Sequence, residues 1–175
     1  MKTLLVVYDS VTGGARQMAW AAAQGAVDCA AEGENGGAGS APGVTCRLLH
    51  ADDATPDDVL AADAYLFVSP EMLAALSGRM KSFFDRAYYP ALDRLQGRPY
   101  AVLVCAGSDG ENAVRQIERI ATGWRLKAVA APIIVCTHAQ TPEAIAAPKT
   151  IGPDDLRRCE EVGATLAAGL AMGVF

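Results

Sequence analysis

Residues Lys2–Ala19, KTLLVVYDSVTGGARQMA, constrain the fold more than any other stretch of the chain. Thr3–Tyr8 is a continuous apolar run rich in β-branched residues, as a parallel strand covered on both faces requires. It breaks at once into Asp9-Ser10-Val11-Thr12-Gly13-Gly14. An amphipathic pattern follows, with Ala15, Met18, Ala19, Ala22 and Ala26 on one helical face. A strand that turns tightly into a helix directs free backbone N–H groups and the positive end of the helix dipole away from the sheet, which makes an anion site. Ser10 and Thr12 add hydroxyl donors, and Gly13 and Gly14 let the backbone approach an anion closely. An ordinary capped strand–turn–helix connection fits these residues equally well. Arg16 reads either as a supplement to the anion site or, preferred here, as a solvated first-turn residue that opposes the dipole.

The loop also excludes two alternatives. It contains no Gly-x-Gly-x-x-Gly and no Gly-Lys-Ser/Thr ending, so it is neither a Rossmann-type dinucleotide fingerprint nor a Walker loop. A hydroxyl-rich loop without lysine suits a phosphate that is held and not transferred, such as the monoester of flavin mononucleotide (FMN).

The 175 residues fit a single domain, residues 1–175. Fifteen basic against twenty acidic residues leave a net charge of −5, and no basic cluster is interleaved with aromatics, so nucleic acid is not expected as a partner. No apolar run approaches a membrane span, and the N-terminus enters a strand almost immediately. A cytoplasmic protein with no membrane partner is expected. The five cysteines are scattered, with no Cys-x-x-Cys pair, and read as buried thiols and not as metal ligands.

Along the chain, the first helix is expected to fade near Cys29 into EGENGGAGSAPG, residues 32–43, a flexible surface connection by composition. Val44–Leu49 is a strand of mixed polarity. Thr55-Pro56-Asp57-Asp58 opens a short helix with a capping hydroxyl, a first-turn proline and two acids. Ala64–Val68 is a second strongly apolar strand, which enters an irregular loop over Ser69–Gly78. Met80, Phe83, Phe84, Ala87 and Tyr88 then mark a helical stripe. Tyr100–Cys105 is the third buried strand. Ala106–Gly110 repeats the strand–glycine loop–helix arrangement, and the next helix stops at Gly123. Ala128–Cys136 is the last strand, placed at a sheet edge by Pro132. Residues His138–Gly152 read as a loop, and Pro153–Met172 as a closing amphipathic helix.

Five strands alternating with five helices imply an α/β fold with a parallel sheet and right-handed crossovers. The three uniformly apolar strands belong at its centre, which gives the order 2-1-3-4-5. A ligand then binds outside the carboxyl ends of strands 1 and 3, where the three loops Asp9–Gly14, Ser69–Gly78 and Ala106–Gly110 meet.

In these loops the chain resembles the flavodoxin-like superfamily, in particular its NAD(P)H-dependent FMN reductase and quinone reductase branch. Ser10-Val11-Thr12-Gly13-Gly14-Ala15 is similar to the family's phosphate loop, with Ala15 where a threonine often stands. Ser69-Pro70-Glu71-Met72-Leu73, followed by Ser77-Gly78-Arg79-Met80-Lys81 and Phe83-Phe84-Asp85, resembles the reductases' ring-facing loop and the helix after it. Ala106-Gly107-Ser108 through Gly110 resembles the ring-edge loop. The resemblance implies a flavodoxin-like three-layer sandwich and noncovalent FMN, with its phosphate on Ser10–Ala15 and its ring between Ser69–Leu73 and Ala106–Gly110. It further implies NAD(P)H as co-substrate, a quinone, flavin or other small molecule as electron acceptor, and a homo-oligomer. FAD is not expected, because no further site for a second phosphate and an adenosine is identified. Two features favour the reductase over an electron-carrier flavodoxin: neither ring loop holds an aromatic residue, and −5 is a modest charge for a carrier. A carrier without nicotinamide turnover, and a degenerate binding module that has lost its flavin, are the alternatives. No side chain is expected as a catalytic acid or base.

Overall fold

The computed structural model describes residues 1–34 and 43–175. Strand β1 (Lys2–Tyr8) leads into helix α1 (Gly14–Glu34), and β2 (Val44–His50) into α2 (Pro56–Ala61). Then come β3 (Ala64–Met72), β4 (Ala75–Leu76) and α3 (Gly78–Ala91), followed by β5 (Pro99–Ala106) and α4 (Glu111–Gly123). The chain ends with β6 (Lys127–Ala128), β7 (Ile133–Cys136), α5 (Pro142–Ala146) and α6 (Pro153–Met172).

The sheet runs β2-β1-β3-β5, with β6 and β7 both on the outer side of β5, which is the expected 2-1-3-4-5 arrangement. All of these pairings are parallel, and only the short β4 runs antiparallel, against β3. Alternation along the central strands explains the layers, since successive side chains leave opposite faces. Leu5, Val7, Tyr65, Phe67, Val102 and Val104 pack under α2, α3 and α4 with Met80, Phe83, Phe84, Ile117 and Trp124. Leu4, Val6, Leu66, Val68 and Leu103 pack on the other face under α1 and α6, against the Ala15/Met18/Ala19/Ala22/Ala26 stripe. Phe67 centres the first layer, its ring 5.0 Å from that of Phe84.

Three sequence expectations need correction. Helix α1 does not fade near Cys29 but continues to Glu34, because Ala30 and Ala31 keep helix propensity high. Most of the glycine-rich connection at 32–43 lies outside the described residues. The last strand is two strands: β6 pairs with Pro99–Tyr100 and β7 with Leu103–Ala106. Pro132 lies between them, where its missing N–H breaks the ladder. Finally, the 138–152 stretch contains a helix, α5, capped by the Thr141 side chain, which accepts from the Ala144 amide at 3.2 Å. This Thr-Pro start is the signal already read at Thr55-Pro56, where a capping box is present.

Helices α1 and α6 cross with their backbones in contact. A Cβ on Gly163 would lie 1.8 Å from the Ala22 carbonyl oxygen, and one on Gly25 would lie 2.1 Å from that of Glu160. No helix among the described residues is long and apolar enough to cross a membrane.

Candidate functional site

The loop after β1 is built by its own side chains. Asp9 is buried, and its Oδ1 accepts from the Ser10 amide at 2.8 Å. Ser10 Oγ accepts from the Gly13 amide at 3.1 Å and closes the turn. Gly13 sits at φ +91°, in the left-handed region that favours glycine. Asp9 and Ser10 thus take two of the loop's amides. Those of Thr12, Gly14, Ala15 and Arg16 have no protein acceptor among the described residues. They stand at the positive end of a 21-residue helix, where an anion would complete them.

Gly14 also meets a packing need. A Cβ there would lie 2.5 Å from Cys105 Sγ, so its missing side chain lets α1 start hard against β5. Ala15 is buried in the layer beneath.

The stretch Ser69–Met72 is strand and not irregular loop. Ser69 and Pro70 pair with Val104 and Cys105, and Glu71 and Met72 turn back onto Leu76 and Ala75. Pro70 is the last residue of β3 paired with β5, so its missing N–H falls where that ladder ends, and its carbonyl accepts from Ser69 Oγ at 2.9 Å. The two turn residues, Leu73 and Ala74, both have positive φ, 50° and 58°. That is the backbone of a tight two-residue hairpin built without the usual Asn or Gly. Asn112 holds it by donating to the Ala74 carbonyl at 2.6 Å, and Gln116 Oε1 accepts from the Leu76 amide at 3.0 Å. Leu73 is fully exposed at the tip. Ser69 is buried and structural, since its Oγ accepts from the Ser77 amide at 3.1 Å.

In the third connection, Glu71 Oε1 accepts from the Gly110 amide at 3.0 Å and ties this loop to the second. Gly110 has φ +85° and opens α4.

These connections meet at one cavity of about 380 Å³. Ser10, Thr12, Gly14, Ala15, Pro70, Glu71, Met72, Ala106 and Gly107 line it. Of the other residues expected there, Gly13 faces a neighbouring cavity, and Ser69, Leu73, Ser108 and Gly110 do not line this one. Among the described residues, no aromatic side chain contributes to its wall.

Sequence reasoning missed the roof. Thr137, Ala139, Ile145, Ala146 and Lys149 close the cavity from the segment between β7 and α6. Gln17 fastens that roof to the loop. Its Nε2 donates to the Gly13 carbonyl (3.0 Å) and the Lys149 carbonyl (2.7 Å), while its Oε1 accepts from the Ile151 amide (3.1 Å). The Lys149 amide in turn donates to the Thr12 carbonyl at 2.8 Å. No local pattern pointed to this, since Gln17 lies off the Ala15/Met18/Ala19/Ala22/Ala26 stripe.

Cys105 in the cavity wall is a thiol at neutral pH. Burial pushes it up to about 11 against the opposing pull of Lys149. It is therefore wall and not nucleophile. Among the described residues no cluster of His, Cys, Asp or Glu could hold a metal ion.

Comparison with known proteins accords with this geometry. The profile of the NADPH-dependent FMN reductase family matches residues 48–141, which include the second and third connections but begin after the first. A flavodoxin from Aquifex aeolicus (strain VF5) is 36% identical over 108 residues, 62% of this chain and 50% of that protein. The chain thus spans half the length of that curated relative. Among solved structures, a WrbA-like flavodoxin from Agrobacterium tumefaciens superposes with a TM-score of 0.72 at 20% identity, covering 99% of both chains. A flavodoxin from the domain Archaea superposes with a TM-score of 0.69 at 20% identity, covering 94% of this chain and 96% of that one. At such identities the two structures establish a shared flavodoxin-like fold.

Proposed function

Because the chain belongs to the NADPH-dependent FMN reductase family, we propose that it binds FMN in the roofed cavity and uses it to pass electrons from NAD(P)H to a small acceptor such as a quinone or a flavin. The observation that carries this reading is a single cavity that joins unpartnered amides at the start of α1 to an apolar wall from β3 and β5. Thr12, Gly14, Ala15 and Arg16 amides and the Thr12 hydroxyl would hold the phosphate, at the positive end of α1. Ala15 supplies an amide only, without a hydroxyl. Pro70, Glu71 and Met72 would flank the ring on one side, with Ala106 and Gly107 at its edge. Bound FMN supplies the redox chemistry, accepting reducing equivalents from a nicotinamide and releasing them to the acceptor.

The protein's part is to bind, orient and leave one face open. Met72 is 43% exposed and Leu73 lies outside the cavity, so no aromatic ring stacks over the space in front of Pro70. A nicotinamide or a planar acceptor can enter there. The match to the Aquifex flavodoxin favours a second reading, an electron carrier. Stopped-flow mixing of the FMN-loaded protein with NADPH and with NADH separates the two. Rapid bleaching of the flavin absorbance supports the reductase. No bleaching with either, but reduction by a protein electron donor, rejects it in favour of the carrier.

A further inference from the structure

A second cavity, of about 360 Å³, adjoins the first and is nearly as large. Ser10, Val11 and Thr12 form a floor common to both, and Ala146 belongs to the roof of both. A single ligand lying across the loop can therefore enter the two together. Tyr8, Arg16 and His50 line the second cavity with Gly13 and Pro148. An FMN placed as proposed ends at its phosphate, on the shared floor, and leaves this space unfilled.

The chemistry of the walls is that of a second nucleotide half. Arg16 is exposed and has no carboxylate partner among the described residues. A cation in the first turn of α1 opposes the helix dipole, an unfavourable placement that an incoming anion reverses. The two carboxylates paired with His50, Asp9 and Asp52, are both also met by Arg79. Asp9 meets His50 Nε2 at 3.2 Å and Arg79 at 3.8 Å, and Asp52 meets Arg79 at 3.4 Å and His50 Nδ1 at 3.7 Å. Arg16 is left for an anion from outside. Beyond it the Tyr8 and His50 rings stand edge to face, 5.3 Å apart, and offer an aromatic surface to a base.

We propose that this second cavity is an adenylate subsite, through which the protein takes flavin adenine dinucleotide (FAD) as well as FMN. Arg16 receives the second phosphate, and the Tyr8–His50 pair packs against the adenine. This rests on the FMN placement proposed above and extends it past the first phosphate.

Apoprotein is titrated calorimetrically with FMN and, separately, with FAD, for the wild type and for Arg16→Gln and Arg16→Glu. Circular dichroism checks that the variants fold, which their exposed position permits. FAD is expected to bind the wild type at least as tightly as FMN. In Arg16→Gln the ratio of FAD to FMN dissociation constants rises about tenfold, as loss of a charge-assisted phosphate contact requires, and in Arg16→Glu it rises further. Binding of FMN with much weaker binding of FAD overturns the subsite, and so does a ratio that both variants leave unchanged. Failure of both flavins to bind the wild type removes the FMN placement itself, and the subsite with it.

Discussion

Replacing Gln17 by alanine tests whether the loop and its roof act as one unit. The side chain makes three hydrogen bonds, to the Gly13 and Lys149 carbonyls and from the Ile151 amide. At about 0.5–1.5 kcal/mol net for each, their loss costs between about 1.5 and 4.5 kcal/mol. Gln17 is half-buried, so water replaces part of what is lost, and the lower half of that range applies. A loss of about 2 kcal/mol lowers the melting temperature of a chain this size by roughly 4–8 °C. The same disorder must be reversed when ligand binds, so FMN affinity falls by up to roughly 30-fold. Gln17→Glu sharpens the test. It keeps an acceptor for the Ile151 amide but sets a carboxylate oxygen against two carbonyls, and should be at least as damaging as alanine. Differential scanning calorimetry and flavin fluorescence titration read the two effects. A variant that melts with the wild type and binds FMN equally well would refute the coupling. One that melts earlier but binds FMN normally would confine Gln17 to the fold.

Gly163→Ala should be among the most destabilising single-methyl additions in the chain, by about 1–3 kcal/mol or more, because the new Cβ meets the backbone of α1; urea denaturation checks it, and an unchanged midpoint contradicts the contact. Glu71→Ala leaves the Gly110 amide without its acceptor and should weaken FMN binding, whereas Glu71→Gln keeps an acceptor oxygen and should retain most of it; equal losses in both would point to charge instead of this hydrogen bond. Stability should fall in acid. Burial alone would raise Asp58 and Asp63, but Thr55 and Arg47 hold the first below its ordinary 3.8, and Lys2, Thr3 and Arg98 hold the second below the same value. A carboxylate lowered on folding stabilises above its unfolded value and loses that contribution as pH falls through the folded one, so the loss develops below about pH 4. Asp63→Asn should flatten that dependence in urea titrations between about pH 2 and pH 5, and a slope equal to the wild type's would discount the group.

The layered fold was legible because its evidence is local. The runs at Thr3–Tyr8, Ala64–Val68 and Tyr100–Cys105 are long and uniformly apolar, and Pro132 identifies an edge whichever way the strand is divided. The first loop was legible for the same reason, since Ser10, Thr12 and Gly13 lie within four residues. What escaped detection depends on partners far apart in sequence. Gln17 meets Lys149 and Ile151 across more than 130 positions. The continuation of β3 through Pro70 depends on β5, and its hairpin on Asn112 and Gln116 of α4. Leu73-Ala74 carries no turn signal at all, because the strain at those two residues is imposed by what surrounds them. The second cavity could not be read either, as it joins the ends of β1 and β2 to α1 and to the segment before α6.

The backbone contact between α1 and α6 has a mechanical consequence for the cavity. One of these helices begins where the first loop ends, and the other begins just after the roof. Bolted to each other at Gly25 and Gly163, they carry floor and roof as the two jaws of a vice whose handle is fixed. The hairpin at Leu73 hangs from a different pair of elements, β3 and α4. The width of the cavity where α1 begins is therefore governed by a joint to which none of its lining residues belongs.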